Sequence, residues 1–351
     1  MLDVRYWLRD LAFGNSPLSH ARPELAAKWS DTAADKLPAD PVLEVSLGMV
    51  AYRNQHLKSA LGHCNRAIEL DPANDESYAV RGIVYGKQGK YDEAITEYAQ
   101  ALERNPRNAW SWCERGKILM DHFHRNREAL ADFDQAIAIE PIPHFYRQRS
   151  AVHLRLQQYA AAQVDFDALL KSAEADLTIN HYAALLSAKL EDMEGYKAQC
   201  RTLVDSTKAT AKPIEKHFAA WTCALSTNAV EDYTNAIALG RADVEAEPTN
   251  LQFQNGLGAI LMRAGMYADA KPNLEGIVNS AESEATSKTY THYLLALTKH
   301  HLGQADAARV QLKIAHELSD KELAESAAWN RRLTIELLRK EAQALIGEVD
   351  K

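Results

Sequence analysis

Small residues recur along the first half of this chain at a fixed step of about 34 residues: Gly48, Gly82 and Gly116 are evenly spaced, and Ser150 continues the series. Two further series, Ala60, Ala94, Ala129 and Ala162, and Pro72, Pro106 and Pro141, keep the same step to within a single position. A period of this size means one supersecondary unit copied along the chain. Each copy is too small to bury its own apolar face, so copies must stack.

The spacing inside a copy predicts a helical hairpin. Tyr78, Gly82 and Tyr85 share one helical face, and Ala94, Tyr98 and Ala101 share a face of the next segment. Gly82 and Ala94 act through what they lack: small side chains let two helix backbones approach while the aromatics fill the space beside them. Gly89 permits the turn, Pro106 stops the second helix, and Asn74 and Asn108 are placed to cap the helices that follow.

The stretch from Arg81 to Pro106 resembles the tetratricopeptide repeat, whose pattern runs aromatic, Leu-Gly, Tyr, then Ala, Phe, Ala and a closing Pro. Residues 75–108 match it closely, apart from Arg81 at the usual Leu position. Residues 41–74 carry Gly48, Ala60, Cys64, Ala67 and Pro72 in register. Residues 109–142 carry Trp112, Gly116, Ala129, Phe133, Ala136 and Pro141, with one residue inserted near DHFHRNRE, and Tyr146, Ser150, Tyr159, Ala162 and Phe166 mark a fourth copy. The resemblance implies an all-α fold, a right-handed solenoid of stacked helix-turn-helix repeats.

The expected organisation is an N-terminal helical cap over 1–40 and four repeats over 41–175. A degenerate helical pair with a polar joint, DSTKATAKP, covers 176–213, and three further repeats cover 214–322. The first of these, Glu215 to Glu247, reads as a degenerate copy, and the other two rest on Gly258, Tyr267, Ala270 and Leu274, then Ala296, Gly303, Ala308, Leu312 and Ala315. A capping helix over 323–348 is expected from the stripe Trp329, Leu333, Leu337. The second half, from Asn180 to Ile346, also resembles the repeat region of bacterial multidomain proteins that carry a serine/threonine kinase or WD-repeat domain. The blocks EDMEGYKAQCRTLV, FAAWTCAL, LGAILMRAGMYADA, LALTKHHLGQADAAR and WNRRLTIELLRKEAQAL carry that likeness. It implies a piece of a longer protein, or a stand-alone relative of such pieces, and transfers no activity.

In the tetratricopeptide family the first helix of each repeat lines a concave groove. Carried over by register, that implies Tyr52, Arg53, Lys87, Trp110, Lys117, His144, Arg147 and Arg155 as candidate peptide-groove residues. The set is basic and aromatic, so the expected partner is a protein or peptide segment that is acidic or aromatic-containing. Repeats that clamp a chaperone's C-terminal carboxylate use Lys and Asn at set positions. The two possible registers here offer Val45, Met49, Val80, Trp110 and Glu114, or Ala79, Ile83, Glu114, His144 and Gln148, and neither is a clamp.

Catalytic and metal motifs are incomplete. GKQGK at Gly86–Lys90 has neither the spacing nor the following hydroxyl of a phosphate loop. HRN at 124–126 lacks the catalytic Asp of a kinase loop. His122 and His124 near Asp121, and His300 and His301 near His292, bring no further ligands, and Cys113 has no base beside it. No enzyme activity, cofactor or metal is expected. Forty basic against 48 acidic residues give a net charge of −8, which argues against nucleic acid. Cys64, Cys113, Cys200 and Cys223 fit no disulfide or zinc spacing, and the N-terminal MLDVRYWLRDLAFG is too charged for a signal peptide. A cytoplasmic protein without a membrane partner is expected, with self-association open to it. The alternatives to a binding scaffold are the regulatory or targeting segment of a kinase-like protein and a self-association module.

Overall fold

A computed structural model describes residues 40–210, 212–280, 288–325 and 327–347, which are helical with turns and contain no strand. The cap expected over 1–40 lies outside them but for Asp40. Two compact units divide the chain between Val152 and His153.

The first unit holds α1 (Pro41–Arg53), α2 (Leu57–Leu70), α3 (Asp75–Lys87), α4 (Tyr91–Arg104), α5 (Ala109–Asp121), α6 (Asn126–Ile139) and most of α7 (Pro143–Arg155). Helices pack in antiparallel pairs, α1 with α2, α3 with α4 and α5 with α6, and α2 and α4 each pack on the first helix of the next pair. The first helices start at side-chain caps: Asp40, Asn74 and Asn108 accept from the backbone amides of Leu43, Ser77 and Ser111, each at 3.0 Å. The second helices α2, α4 and α6 have no such cap and leave instead from a turn residue with positive φ, Gln55, Gly89 or His124.

The periodic small residues sit at the helix crossings. Ala60, Ala94 and Ala129 are fully buried. A Cβ on Gly82 would stand 3.1 Å from the Tyr98 ring, so the glycine sets how closely α3 approaches α4. Arg81, at the position where the family has Leu, takes polar partners through its two Nη atoms, which donate to Asn65 Oδ1 at 2.8 Å and Glu97 Oε1 at 2.9 Å. One period later Arg115 grips Asp132 through two bonds of 2.9 and 2.7 Å, and one period later again Arg149 bonds Asp134 at 2.7 Å. The Arg81, Arg115, Arg149 series is a fourth periodic marker. Consecutive repeats are also stitched through the closing prolines, whose carbonyls accept from a side chain in the next helix: Tyr78 to Pro72 at 3.2 Å and Trp112 to Pro106 at 2.9 Å.

The second unit holds the end of α7, α8 (Tyr159–Leu170), α9 (Leu177–Lys189), α10 (Met193–Thr207), α11 (Pro213–Ala224), α12 (Thr234–Ala246), α13 (Leu251–Arg263), α14 (Tyr267–Asn279), α15 (Lys288–His301), α16 (Ala305–Ala324) and α17 (Trp329–Ile346). Helices α9 to α16 form four hairpins whose first helices, α9, α11, α13 and α15, touch in order. The proline stitch recurs as Gln254 to Pro248 at 2.6 Å. In DSTKATAKP the first three residues complete α10.

At the chain's end α17 packs on the last hairpin, α15 and α16, where a capping helix is expected, and also on α9 at the far end of the row. Its buried side is Leu333, Thr334, Ile335, Leu338 and Ala342, so of the Trp329–Leu333–Leu337 stripe Leu333 alone is fully buried. Two opposed helical surfaces demand a wider apolar face than one stripe supplies. Among the described residues no helix is long and apolar enough to cross a membrane.

Candidate functional site

In the first unit, α1, α3 and α5 lie side by side and enclose a cleft of about 600 Å³. Its floor is apolar, made by Met49, Val80, Ile83 and the ring of Tyr98. Four of the eight residues expected in a groove line it together: Tyr52 and Arg53 from α1, Trp110 and Lys117 from α5. Trp110 stands in the first turn of α5 and is 51% exposed. Beside it, at the start of α7, His144 stacks on the Trp110 ring at 5.3 Å and Phe145 meets it edge-on at 5.2 Å. Two rings therefore brace the indole and leave about half of it open.

The other candidates stand elsewhere. Lys87 and Arg147 are exposed but do not line the cleft, and Arg155 belongs to the second unit. Arg53, Lys87 and Arg155 share a simpler property: each lies in the last turn of its helix, where a cation offsets the negative end of the helix dipole.

The electrostatics differ from the basic groove expected. Lys117 Nζ is held by both oxygens of Glu114, at 2.8 and 3.0 Å. Burial works against the Lys117 charge, but the Glu114 carboxylate and its hydrogen bond outweigh it and hold the ammonium above its usual range. Glu76 also lines the cleft, so two carboxylates stand against Arg53 and Lys117. A register read for basic positions overlooks these acids. The i, i+3 spacing of Glu114 and Lys117 is the sequence signal that the lysine already has a partner.

Among the described residues, the cluster with metal-ligand chemistry is Cys113, Glu114 and His144, whose ligating atoms lie within 4.8 Å of one another. Burial pushes the Cys113 thiol up to about 12, and Glu114 is committed to Lys117, so the trio is organised as a core thiol beside an ion pair. Two of the histidines weighed as ligands have stacking roles: His122 lies on Tyr91 with centroids 3.5 Å apart, and His301 on Tyr267 at 4.5 Å.

This fold matches known families. Residues 84–122 match a model described as TPR repeat and residues 63–96 one described as tetratricopeptide repeat. The C-terminal part of a TPR repeat-containing protein from Cytophaga hutchinsonii superposes with a TM-score of 0.54 at 16% identity, covering 72% of this chain and 99% of that one, a likeness of fold. Residues 63–122 thus carry tetratricopeptide repeats. Among curated relatives, human tetratricopeptide repeat protein 13 is 26% identical over 133 residues, 36% of this chain and 15% of that protein. Hsp70-Hsp90 organizing protein 2 of Arabidopsis thaliana is 21% identical over 253 residues, 60% of this chain and 42% of that protein. The chain thus spans under half the length of these relatives.

Proposed function

We propose that this chain is a noncatalytic binding scaffold whose first unit holds a segment of a partner protein in the cleft between α1, α3 and α5, anchored by an aromatic or large aliphatic side chain against Trp110. The observation that carries this reading is the half-exposed Trp110, braced by His144 and Phe145 beside an apolar floor. Rigid, partly exposed indoles beside apolar pockets are where binding energy concentrates. Of the two partner types anticipated, the aromatic-containing one fits better than the acidic one, because Glu114 already neutralises Lys117 and Glu76 adds a second negative charge. The same acids disfavour a chaperone-type terminal carboxylate, although a relative named for organising Hsp70 and Hsp90 shares the repeat.

The test is selection of binders from a displayed random-peptide library on the intact chain. Peptides sharing an aromatic or large aliphatic anchor are expected, and Trp110→Ala should weaken them about 10- to 100-fold, or about 1.4 to 2.8 kcal/mol. Selected peptides that bind Trp110→Ala undiminished would sink the reading.

A further inference from the structure

The second unit holds a cavity of about 410 Å³ between the first helices of its hairpins and the start of α17. Its walls are the rings of Tyr182 on α9, Phe218 and Trp221 on α11, and Tyr290 on α15. Helix α17 forms one side and is fastened there by specific contacts. Trp329 meets Tyr182 edge-on at 4.8 Å, and the Arg331 guanidinium lies 5.4 Å from the centre of the Tyr290 ring.

Polar groups are set into these walls, and the chemistry they offer follows from the bonds they already make. The Thr222 hydroxyl stands 2.6 Å from the Phe218 carbonyl oxygen, which has no proton, so the hydroxyl donates there. Its oxygen therefore accepts from His181 Nδ1, 2.7 Å away. Burial pushes the His181 imidazole down to about 4, so the ring is neutral with its one proton on Nδ1, and Nε2 is an acceptor. Asn255, 4% exposed, takes the Thr291 hydroxyl on Oδ1 at 3.1 Å, which leaves its Nδ2 to donate. Both residues line the cavity, as does His217 on α11, neutral for the same reason. The Arg331 cation of the lining is already paired with Glu322.

We propose that this cavity is a binding site for an uncharged amino-purine, a base or nucleoside, whose ring lies against the aromatic walls with a donor edge on His181 Nε2 and an acceptor edge on Asn255 Nδ2. Flat rings stack on aromatic walls, and an amino-purine carries both kinds of edge on its rim. A sugar bears hydroxyls all round and would turn some of them to the rings unpaired. A nucleotide's phosphate gains nothing here, because Arg331 is spent. Asn330 and Thr334 of α17 complete the lining, so the ligand also holds α17 in place.

Calorimetric titration of the intact chain with adenine, adenosine, adenosine monophosphate and maltose tests this. Adenine or adenosine should bind, raise the melting temperature of the second unit and slow hydrogen exchange of residues 329–338. The monophosphate should bind no more tightly than adenosine, and maltose should not bind. His181→Phe keeps a ring and removes the acceptor, so it should weaken binding about tenfold. Asn330→Trp, at a partly buried position on α17, fills the cavity without altering the core, and binding should disappear while the melting temperature holds. Trp110→Ala, in the first unit, should bind like wild type. No binding of either purine at about 1 mM, tighter binding of the monophosphate, or binding of maltose overturns the proposal. So does undiminished binding by a folded His181→Phe or by Asn330→Trp, or its loss in Trp110→Ala, which would place the ligand in the first unit's cleft.

Discussion

Glycines in this chain play opposite roles according to what surrounds them, and two substitutions separate the roles. Gly82 faces the Tyr98 ring, with only 3.1 Å available to a new Cβ, whereas a Cβ on Gly62, within α2, would meet no neighbour within 4 Å. Gly82→Ala must therefore push α3 from α4, and a cost of about 1–3 kcal/mol is expected from overpacking. Gly62→Ala removes backbone freedom from the unfolded chain without a clash and should stabilise by about 0.5–1 kcal/mol. Chemical denaturation of the two variants checks both, and matching signs would refute this reading of the crossing. The periodic step marks Gly82 as a close-contact glycine, but nothing local to Gly62 tells its role. Arg81 is legible only in part: along the chain it is a departure from the repeat, and its pairing with Glu97 and Asn65 needs the helices to be placed.

Within one hairpin of the second unit, α11 brings His217 to 3.8 Å from Asp243 on α12, both buried. Burial pushes the Asp243 carboxyl up to about 7, opposed by the Val244 amide and Lys216, and pushes the His217 imidazole down to about 4. The folded carboxyl thus keeps its proton over a range where the unfolded chain has released it. The stability it contributes is present at low pH and lost as pH rises from 3.8 to about 7. His217 acts in the other direction, losing stability as pH falls from 6.5 towards about 4. Asp243→Asn mimics the protonated carboxyl, so it should raise the melting temperature of the second unit at pH 8 and leave it nearly unchanged at pH 4. A loss at pH 8 would show instead that the ionised carboxylate is paired with a protonated His217. The helices themselves are visible in the periodicity, whereas this pair joins two helices of a degenerate copy and follows no repeat marker.

At the scale of the molecule, the two units are expected to respond separately to damage. Glu341→Ala leaves the buried Arg263 without its counter-ion, an error that typically costs about 3–5 kcal/mol. A thermal scan should then show the transition of the second unit lowered and that of the first unmoved, since units with their own cores need not unfold together. Arg263→Met, which removes the buried charge and keeps an apolar stem, should cost less. One shared transition shifting as a whole in both variants would show instead that the units unfold as one.

The helical hairpin, its length and its stacking are written in the chain order, because a regular period and small residues at the crossings are properties of neighbours along the sequence. The same register puts Tyr52, Arg53, Trp110 and Lys117 on matching helix faces, and these share one cleft. Which charges are already spent, as with Lys117 on Glu114, and where the last helix goes emerge only when the helices are packed. The return of α17 to α9 joins Lys189 to Glu336 across 147 residues. No local pattern encodes such a contact, because it depends on the curvature accumulated over every hairpin between them.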